Sequence, residues 1–141
     1  SVPEEDNTSV RRILVVDDKR DGATTLAAIL RKSGHRVEIA FSGEQALDLG
    51  DSLHPDLVFM DIGMPGMSGH ETCQRMRAED WGECIRIIAL SGWGQQQDIE
   101  RSRQAGFDEH LVKPIASATV RRLADAPDVR DPKRVDGTHA E

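Results

Sequence analysis

Five short apolar segments recur along the middle of the chain, and they restrict its fold more than any other feature. They are Ile13–Val16, Val37–Ala40, Leu57–Met60, Ile85–Leu90 and His110–Val112. The first, third and fourth are nearly continuous and rich in β-branched residues, which is typical of strands buried on both faces of a parallel sheet. Between the segments, apolar residues recur at helical spacing, as at Ala23, Leu26 and Leu30. The pattern predicts an α/β fold of five βα units, with helices covering both faces of the sheet.

Length and charge exclude several classes of protein. The 141 residues correspond to one domain. The net charge of −7 disfavours nucleic-acid binding through a basic surface. No apolar run approaches the roughly 20 residues that cross a bilayer, and no signal peptide opens the chain. We therefore expect neither direct nucleic-acid binding nor membrane insertion by this chain. Cys73 and Cys84 have no disulfide framework around them, which predicts a cytoplasmic location.

Both ends of the chain differ from its middle. Residues 1–10 contain three acidic side chains and no basic one, and Pro127 and Pro132 interrupt the last segment. Neither end has an apolar period from which a core could form. We predict a disordered linker over 1–10, a compact domain over 11–126 and a disordered tail over 127–141.

Chemically reactive side chains stand where four of the five predicted strands end. Asp17 and Asp18 follow the first strand, Asp61 the third, Ser91 the fourth and Lys113 the fifth. In a doubly wound sheet, ligands bind beyond the carboxyl ends of the strands. The flavodoxin-like strand order 2-1-3-4-5 makes strands 1 and 3 neighbours. In that order the three carboxylates would converge, with the serine and the lysine to one side.

Three converging carboxylates repel one another, and a bound cation relieves that repulsion. Mg²⁺ suits oxygen ligands and also accepts phosphoryl oxygens. An ionised aspartate can attack phosphorus to form an acyl phosphate, and a serine and a lysine can donate to its oxygens. Each residue alone has an ordinary explanation, since a strand-end aspartate is commonly a helix cap and a Ser-Gly pair a turn. Their coincidence at four strand ends favours a phosphoryl site with Mg²⁺.

The residues at these strand ends also carry a family resemblance. The segments Val15–Asp18, Asp61–Gly69, Ala89–Gly92 and Gly106–Pro114 resemble the receiver domain of two-component response regulators. The resemblance covers about residues 11–126. The segments Ser91–Gln95 and His110–Pro114 resemble, more narrowly, the receivers at the C-termini of hybrid sensor histidine kinases.

The resemblance implies a role for each residue. Asp61 would accept a phosphoryl group from the phosphohistidine of a histidine kinase or a histidine phosphotransfer domain, and would lose it by slow hydrolysis. Asp18 and Asp61 would bind Mg²⁺ directly, Asp17 mostly through water, and Gly63 through its backbone carbonyl. Ser91 and Lys113 would bind phosphoryl oxygens, and the Lys113–Pro114 bond is expected to be cis. The chain would not be a stand-alone enzyme, since it would catalyse only its own phosphorylation and dephosphorylation.

Three positions modify this expectation. In the family, the strand-4 hydroxyl moves towards the phosphoryl group and an aromatic side chain of strand 5 fills the vacated space. Here Ser91 provides the hydroxyl, but the aromatic position is His110, whose polar ring is costly to bury. We expect His110 to swing less or to stay outward, so that the 92–105 segment transmits the signal. Gly63 has no side chain that could shield the acyl phosphate from the hydrolytic water or orient that water. Trp93 can either cover the pocket or pack on the surface. We expect both positions to affect the rate of hydrolysis.

Other functions remain possible from the sequence. A pseudo-receiver would keep the fold and act as a phosphorylation-independent binding module. A phosphatase of the haloacid dehalogenase type also uses an aspartate nucleophile with Mg²⁺, but expects a second aspartate where Gly63 stands. A flavodoxin would need a Ser/Thr-rich phosphate loop after strand 1. Ser1 and the acidic start slightly favour a receiver excised from a hybrid histidine kinase over a single-domain regulator.

Overall fold

The computed structural model describes residues 10–92, 94 and 96–126, except for the side chain of Gln96. Residues 1–9 of the predicted linker, the predicted tail 127–141 and Trp93 lie outside the described residues.

Strands and helices alternate along the described residues as the sequence predicts. The elements are β1 (Arg12–Val16), α1 (Arg20–Lys32), β2 (Arg36–Ala40), α2 (Gly43–Leu53), β3 (Leu57–Asp61), α3 (Gly69–Arg77), a 3₁₀ turn (Asp80–Gly82), β4 (Arg86–Ser91), α4 (Gln96–Ala105), β5 (Glu109–Val112) and α5 (Ser117–Asp125). None of the helices in this part of the chain is long and apolar enough to cross a membrane.

All five strands pair in parallel, in the order β2-β1-β3-β4-β5. The predicted flavodoxin-like doubly wound topology is therefore confirmed. Alternate residues of β1 pack on opposite faces: Ile13 and Val15 contribute to the core under α1 and α5, and Leu14 and Val16 to the core under α2, α3 and α4. Because the central strands are covered on both faces, they consist of apolar residues without polar alternation.

Short polar residues fix where the helices begin and end. The Ser42 hydroxyl accepts a hydrogen bond from the Gln45 amide (3.1 Å), and the Ser68 hydroxyl accepts one from the Glu71 amide (3.1 Å). These bonds satisfy amides that have no partner within the first turns of α2 and α3. The first helix ends at Lys32, and Gly34, two residues later, has a φ of 97°, a backbone conformation that favours glycine.

The side chain of Arg77, the last residue of α3, joins the segments that lead into β4 and β5. Its guanidinium donates to the carbonyls of Ile85 (2.6 Å) and Gly106 (2.8 Å) and pairs with the Asp108 carboxylate (3.0 Å). The same Asp108 oxygen accepts the amide of Ile87 (2.8 Å). Arg77 therefore fixes the starts of the two strands whose far ends carry Ser91 and Lys113.

The first and last described segments meet at the edge of the sheet where the strands begin. The Arg11 guanidinium donates to the carbonyls of Ala124 and Ala126. The Arg11 amide donates to Nδ1 of the buried His35 (3.1 Å), and Nε2 of His35 contacts the Asp125 carboxylate (2.9 Å). These contacts lie at the opposite edge of the sheet from the strand-end aspartates.

Candidate functional site

The three aspartates meet at the carboxyl edge of the sheet. Asp17 and Asp18 follow β1 and Asp61 ends β3, and these two strands are hydrogen-bonded neighbours. One carboxylate oxygen from each residue lies within 4.8 Å of the others. Asp17 and Asp61 are buried and Asp18 is half-buried. The fold thus brings Asp61 next to two consecutive acids from a distant part of the sequence.

Lys113 lies between two of these acids. Its Nζ is 3.6 Å from an oxygen of Asp17 and 3.6 Å from an oxygen of Asp61. Its backbone amide donates to the Ser91 carbonyl (2.7 Å), which ties the residue to the end of β4. The Lys113–Pro114 peptide bond is cis, as predicted. The three clustered carboxylates carry more negative charge than this one ammonium can balance.

The surroundings of Asp17 disfavour its charged form. Burial raises the pKa of Asp17 above its usual range, and the neighbouring Asp61 raises it further. The Lys19 amide, which donates to Asp17 (3.0 Å), and the Lys113 ammonium act in the opposite direction. The net rise means that the folded protein disfavours a full set of negative charges here, and a bound cation would remove that penalty.

Asp18 provides a second reason to expect a cation. Its Oδ1 is buried and has no hydrogen-bond partner among the described residues. A buried carboxylate oxygen without a partner is costly, and coordination to a metal ion satisfies it. Hard carboxylate oxygens on three side chains are the ligands that Mg²⁺ prefers. The residues present therefore fit the predicted ion.

The loop after β3 is held tightly around Asp61. The Gly63 amide donates to Asp61 Oδ1 (3.1 Å), and Gly63 itself is exposed. A Cβ at Gly69 would lie 2.5 Å from the Ile62 Cα and 2.8 Å from the Asp61 carbonyl oxygen, so only glycine allows α3 to begin this close to the strand. Packing of α3 thus fixes the backbone that presents the Asp61 carboxylate.

Ser91 ends β4 and is buried, with its hydroxyl directed at a ring nitrogen. Its Oγ lies 2.6 Å from Nε2 of His110, and Nδ1 of the same ring lies 2.8 Å from Oγ of Ser102. The alternative in which His110 stays outward is wrong for this structure, because the half-buried ring contacts a buried hydroxyl at each nitrogen. Those two partners offset the cost of burying the polar ring.

Ser102 was not among the predicted site residues. It lies on α4 between Ile99 and Ala105, at the three-residue spacing of the buried face, and is 1% exposed. Its spacing from Ile99 and Ala105 is the signal in the sequence that could have pointed to it. Trp93, for which the sequence leaves open whether it covers the pocket or packs on the surface, lies outside the described residues.

Comparisons with known proteins agree with this geometry. The sequence model of the family described as response regulator receiver domain matches residues 13–125. Sporulation initiation phosphotransferase F of Bacillus subtilis is 36% identical over 104 residues, which are 74% of this chain and 82% of that protein. The DNA-binding response regulator MtrA of Mycobacterium tuberculosis is 33% identical over 129 residues, and the chain spans 55% of its length.

Solved structures show the same fold. The receiver domain of a sensor histidine kinase from Pseudomonas aeruginosa, with a magnesium ion coordinated in its active-site cleft, has a TM-score of 0.75 and 32% identity, covering 82% of this chain and 95% of that one. The chemotaxis protein CheY4 of Vibrio cholerae has a TM-score of 0.78 at 24% identity, covering 82% and 96%. With a family match over most of its length, the chain belongs to the receiver domains of response regulators.

Proposed function

We propose that Asp61 is the phosphoacceptor of this receiver domain and takes its phosphoryl group from the phosphohistidine of a partner protein. The observation that carries the proposal is the position of the Lys113 ammonium, 3.6 Å from both Asp17 and Asp61 beside a third carboxylate. This arrangement places a nucleophilic oxygen beside an ammonium that can stabilise the negative charge on the oxygens of the incoming phosphoryl group.

The transfer exchanges one bond to phosphorus for another. An oxygen of Asp61 attacks the phosphorus, the bond to the histidine nitrogen breaks, and that nitrogen leaves with the electron pair. Lys113 and Ser91 donate to two phosphoryl oxygens and stabilise their negative charge. Mg²⁺, when bound, would neutralise charge on the phosphoryl group. Asp18 and Asp61 would hold the ion directly, Asp17 through water and Gly63 through its carbonyl.

Slow loss of the phosphoryl group follows from the same site. Water attacks the acyl phosphate at phosphorus, the bond between phosphorus and the Asp61 oxygen breaks, and inorganic phosphate leaves while the Asp61 carboxylate is regenerated. Gly63 is exposed and adds no side chain between Asp61 and solvent, so it leaves the approach of water open. Gly63 and Trp93 are the positions at which we expect sequence changes to alter the lifetime of the phosphorylated state.

A groove beside the aspartates suits a helical partner. It has a volume of about 450 Å³, runs between α1 and α5, and is lined by the apolar side chains of Leu26, Ile29, Ile115 and Val120 next to Asp17 and Lys113. A histidine on an amphipathic helix packed there would face the phosphoacceptor. This supports a histidine kinase or a histidine phosphotransfer domain as partner. The 32% identity with the receiver domain of a sensor histidine kinase supports the receiver of a hybrid histidine kinase as the specific case, for which we propose a cytoplasmic location.

Phosphorylation by a small donor tests the proposal. We expect the protein, incubated with Mg²⁺ and acetyl phosphate, to gain the mass of one phosphoryl group in intact-mass spectra, and hydroxylamine to remove it, because acyl phosphates react with this nucleophile. Peptide mapping after hydroxylamine should place the modification at Asp61. An unmodified protein would contradict the proposal and favour the pseudo-receiver, and turnover of free phosphomonoesters would favour a phosphatase.

Replacing Lys113 with methionine should slow phosphorylation and strengthen the binding of Mg²⁺. We expect the rate of phosphorylation by acetyl phosphate to fall about 100-fold, because one donor to the developing charge is lost. Mg²⁺ should bind more tightly, because the competing ammonium is gone. Rates from intact-mass time courses and Mg²⁺ affinities from calorimetry check the two effects. Lys32→Met, at the exposed end of α1, is the matched control; a parallel loss of rate and Mg²⁺ affinity at Lys113 would contradict the assigned role.

Mg²⁺ should stabilise the fold through the same carboxylates. Without the metal, Asp18→Asn should raise the free energy of unfolding by about 1 kcal/mol, or Tm by about 3 °C, because it removes one of three repelling charges. Adding Mg²⁺ should raise Tm of the unaltered protein and have little effect on the variant. Scanning calorimetry with Mg²⁺ or a chelator measures both shifts, and the exposed Asp51→Asn is the control. An equal Mg²⁺ response in all three proteins would exclude Asp18 as a ligand.

A further inference from the structure

His110 connects two buried hydroxyls that belong to different elements. Its Nε2 lies 2.6 Å from the Ser91 Oγ at the end of β4, and its Nδ1 lies 2.8 Å from the Ser102 Oγ in the middle of α4. Ser91 is 3% exposed and Ser102 is 1% exposed, so bulk water does not readily replace either contact. The three side chains form a hydrogen-bond chain from the strand-4 hydroxyl to a helix.

A neutral imidazole makes all the hydrogen bonds between Ser91, His110 and Ser102 run in one of two directions. One ring nitrogen carries the hydrogen and donates, and the other accepts. If Nδ1 carries the hydrogen, it donates to Ser102 and Nε2 accepts from the Ser91 hydroxyl. If Nε2 carries the hydrogen, it donates to Ser91 Oγ, and the Ser102 hydroxyl donates to Nδ1. A hydroxyl donates only one hydrogen, so in the first arrangement Ser91 cannot also donate to a phosphoryl oxygen.

We propose that His110 is a positioning residue whose tautomer reports the phosphorylation state. When a phosphoryl group binds, Ser102 donates to His110, His110 donates to Ser91, and Ser91 donates to a phosphoryl oxygen. The inference rests on the proposed function of Asp61 and Ser91. Binding of a phosphoryl group requires the Ser91 hydrogen, which selects the ring form protonated at Nε2. The Ser102 hydroxyl then becomes the donor at the other end.

The change of direction needs no net gain or loss of protons. Nδ1 gives its proton to water, Nε2 takes one from water, and the two hydroxyl hydrogens rotate about their C–O bonds. His110 and Ser102 both line a cleft of about 300 Å³, together with Ile99 and Phe107, through which water can reach the ring. The ring can therefore exchange its proton with water when these contacts open transiently, and both oxygen contacts re-form afterwards.

This mechanism differs from the movement of an aromatic side chain into a vacated space. The ring stays in place, and the signal is the donor or acceptor state of the Ser102 hydroxyl on α4. When that hydroxyl turns to donate to Nδ1, its hydrogen is not available to any other acceptor in α4 or in the cleft. Phosphorylation thus changes the hydrogen bonding of one buried helical position, and α4 and the cleft it borders are the surface where the change can be read.

Side-chain ¹⁵N NMR of the full chain tests the proposal directly. The probe is beryllium trifluoride with Mg²⁺, a mimic of the phosphoryl group. We expect the mimic to bring His110 to the form protonated at Nε2, with the nitrogen shift of Nδ1 moving to that of an acceptor. A His110 protonated at Nδ1 in the mimic-bound protein, or at both nitrogens, would overturn the proposal.

Ser102→Ala provides a second readout. Loss of the donor to Nδ1 should weaken binding of the mimic about fivefold, as expected for one neutral hydrogen bond, and should reduce the mimic-induced amide shifts across α4. Ser102→Thr keeps the hydroxyl and should restore both. Ser52→Ala, which removes an exposed hydroxyl that donates to a carbonyl within α2, is the control. Unchanged affinity and shifts in Ser102→Ala would contradict the relay.

The outcomes separate this inference from the function on which it rests. A protein that gains a hydroxylamine-sensitive phosphoryl group but shows no change of His110 tautomer keeps the proposed function and loses the relay. A protein that gains no phosphoryl group and binds no mimic loses both. If Ser102→Ala fails to fold, the tautomer in the unaltered protein decides the question by itself.

Discussion

Asp61→Asn is expected to abolish the mass gain with acetyl phosphate. The amide oxygen of asparagine lacks the negative charge of the carboxylate and is a much weaker nucleophile towards phosphorus. The substitution preserves size and shape, so the Gly63 amide keeps an oxygen acceptor at its present distance of 3.1 Å. Intact-mass spectra at saturating Mg²⁺, quantified for the modified fraction, check the loss.

Asp51→Asn is the matched control for this variant, since Asp51 is exposed on α2 and outside the acidic cluster. It should be phosphorylated like the unaltered protein. Asp61→Asn should remain folded, with a metal-free Tm equal to or above that of the unaltered protein, because it removes one of three repelling carboxylates. A hydroxylamine-sensitive modification that persists in Asp61→Asn would place the acceptor at another residue and refute the assignment.

Arg77→Met is expected to lower the free energy of unfolding by about 4 kcal/mol, as is typical when one member of a buried ion pair is removed. Arg77 and Asp108 are each 15% exposed at the side chain. Beyond Asp108, the guanidinium donates to the carbonyls of Gly82 (3.0 Å), Ile85 (2.6 Å) and Gly106 (2.8 Å). Methionine fills much of the same volume but leaves these acceptors without their donor. Urea unfolding followed by circular dichroism measures the loss.

Arg75→Met, in the same helix, separates a buried network from general loss of positive charge. The Arg75 side chain is 57% exposed and pairs only with Glu71 among the described residues, at 2.8 Å in an i,i+4 arrangement. Its loss should cost about 0.5 kcal/mol or less. The double variant Arg77→Met with Asp108→Asn should lose less free energy of unfolding than the two single variants lose in sum. Equal effects of Arg75→Met and Arg77→Met would show that the carbonyl contacts contribute nothing.

The sequence predicts the strand ends and, with a flavodoxin-like strand order, the meeting of the acids for one physical reason. Strands covered on both faces must be apolar throughout, so the polar residue that follows each one marks a strand end, as Asp17 and Asp61 do. Parallel strands place all these ends at one edge, so the convergence of Asp17, Asp18 and Asp61 follows from the strand order alone.

The apolar pattern of the strands could not predict contacts that depend on loop conformation and side-chain direction. The alternative in which His110 stays outward rested on the cost of burying an imidazole, but Ser91 and Ser102 supply a partner for each ring nitrogen. Ser102 is one serine on a helix with few apolar residues, and its depth depends on how α4 packs. Arg77 resembles any basic residue near a helix end until the segments before β4 and β5 bring their carbonyls to it.

The contact between Arg11 and the carbonyls of Ala124 and Ala126 has a consequence for protein architecture. Because the polypeptide enters and leaves the domain at adjoining points, a host protein could accommodate it within a surface loop without separating the loop's two stems. The same adjacency means that joining residues near 10 and 126 by a short peptide, and opening the chain elsewhere, should yield a circularly permuted protein with its acidic pocket intact.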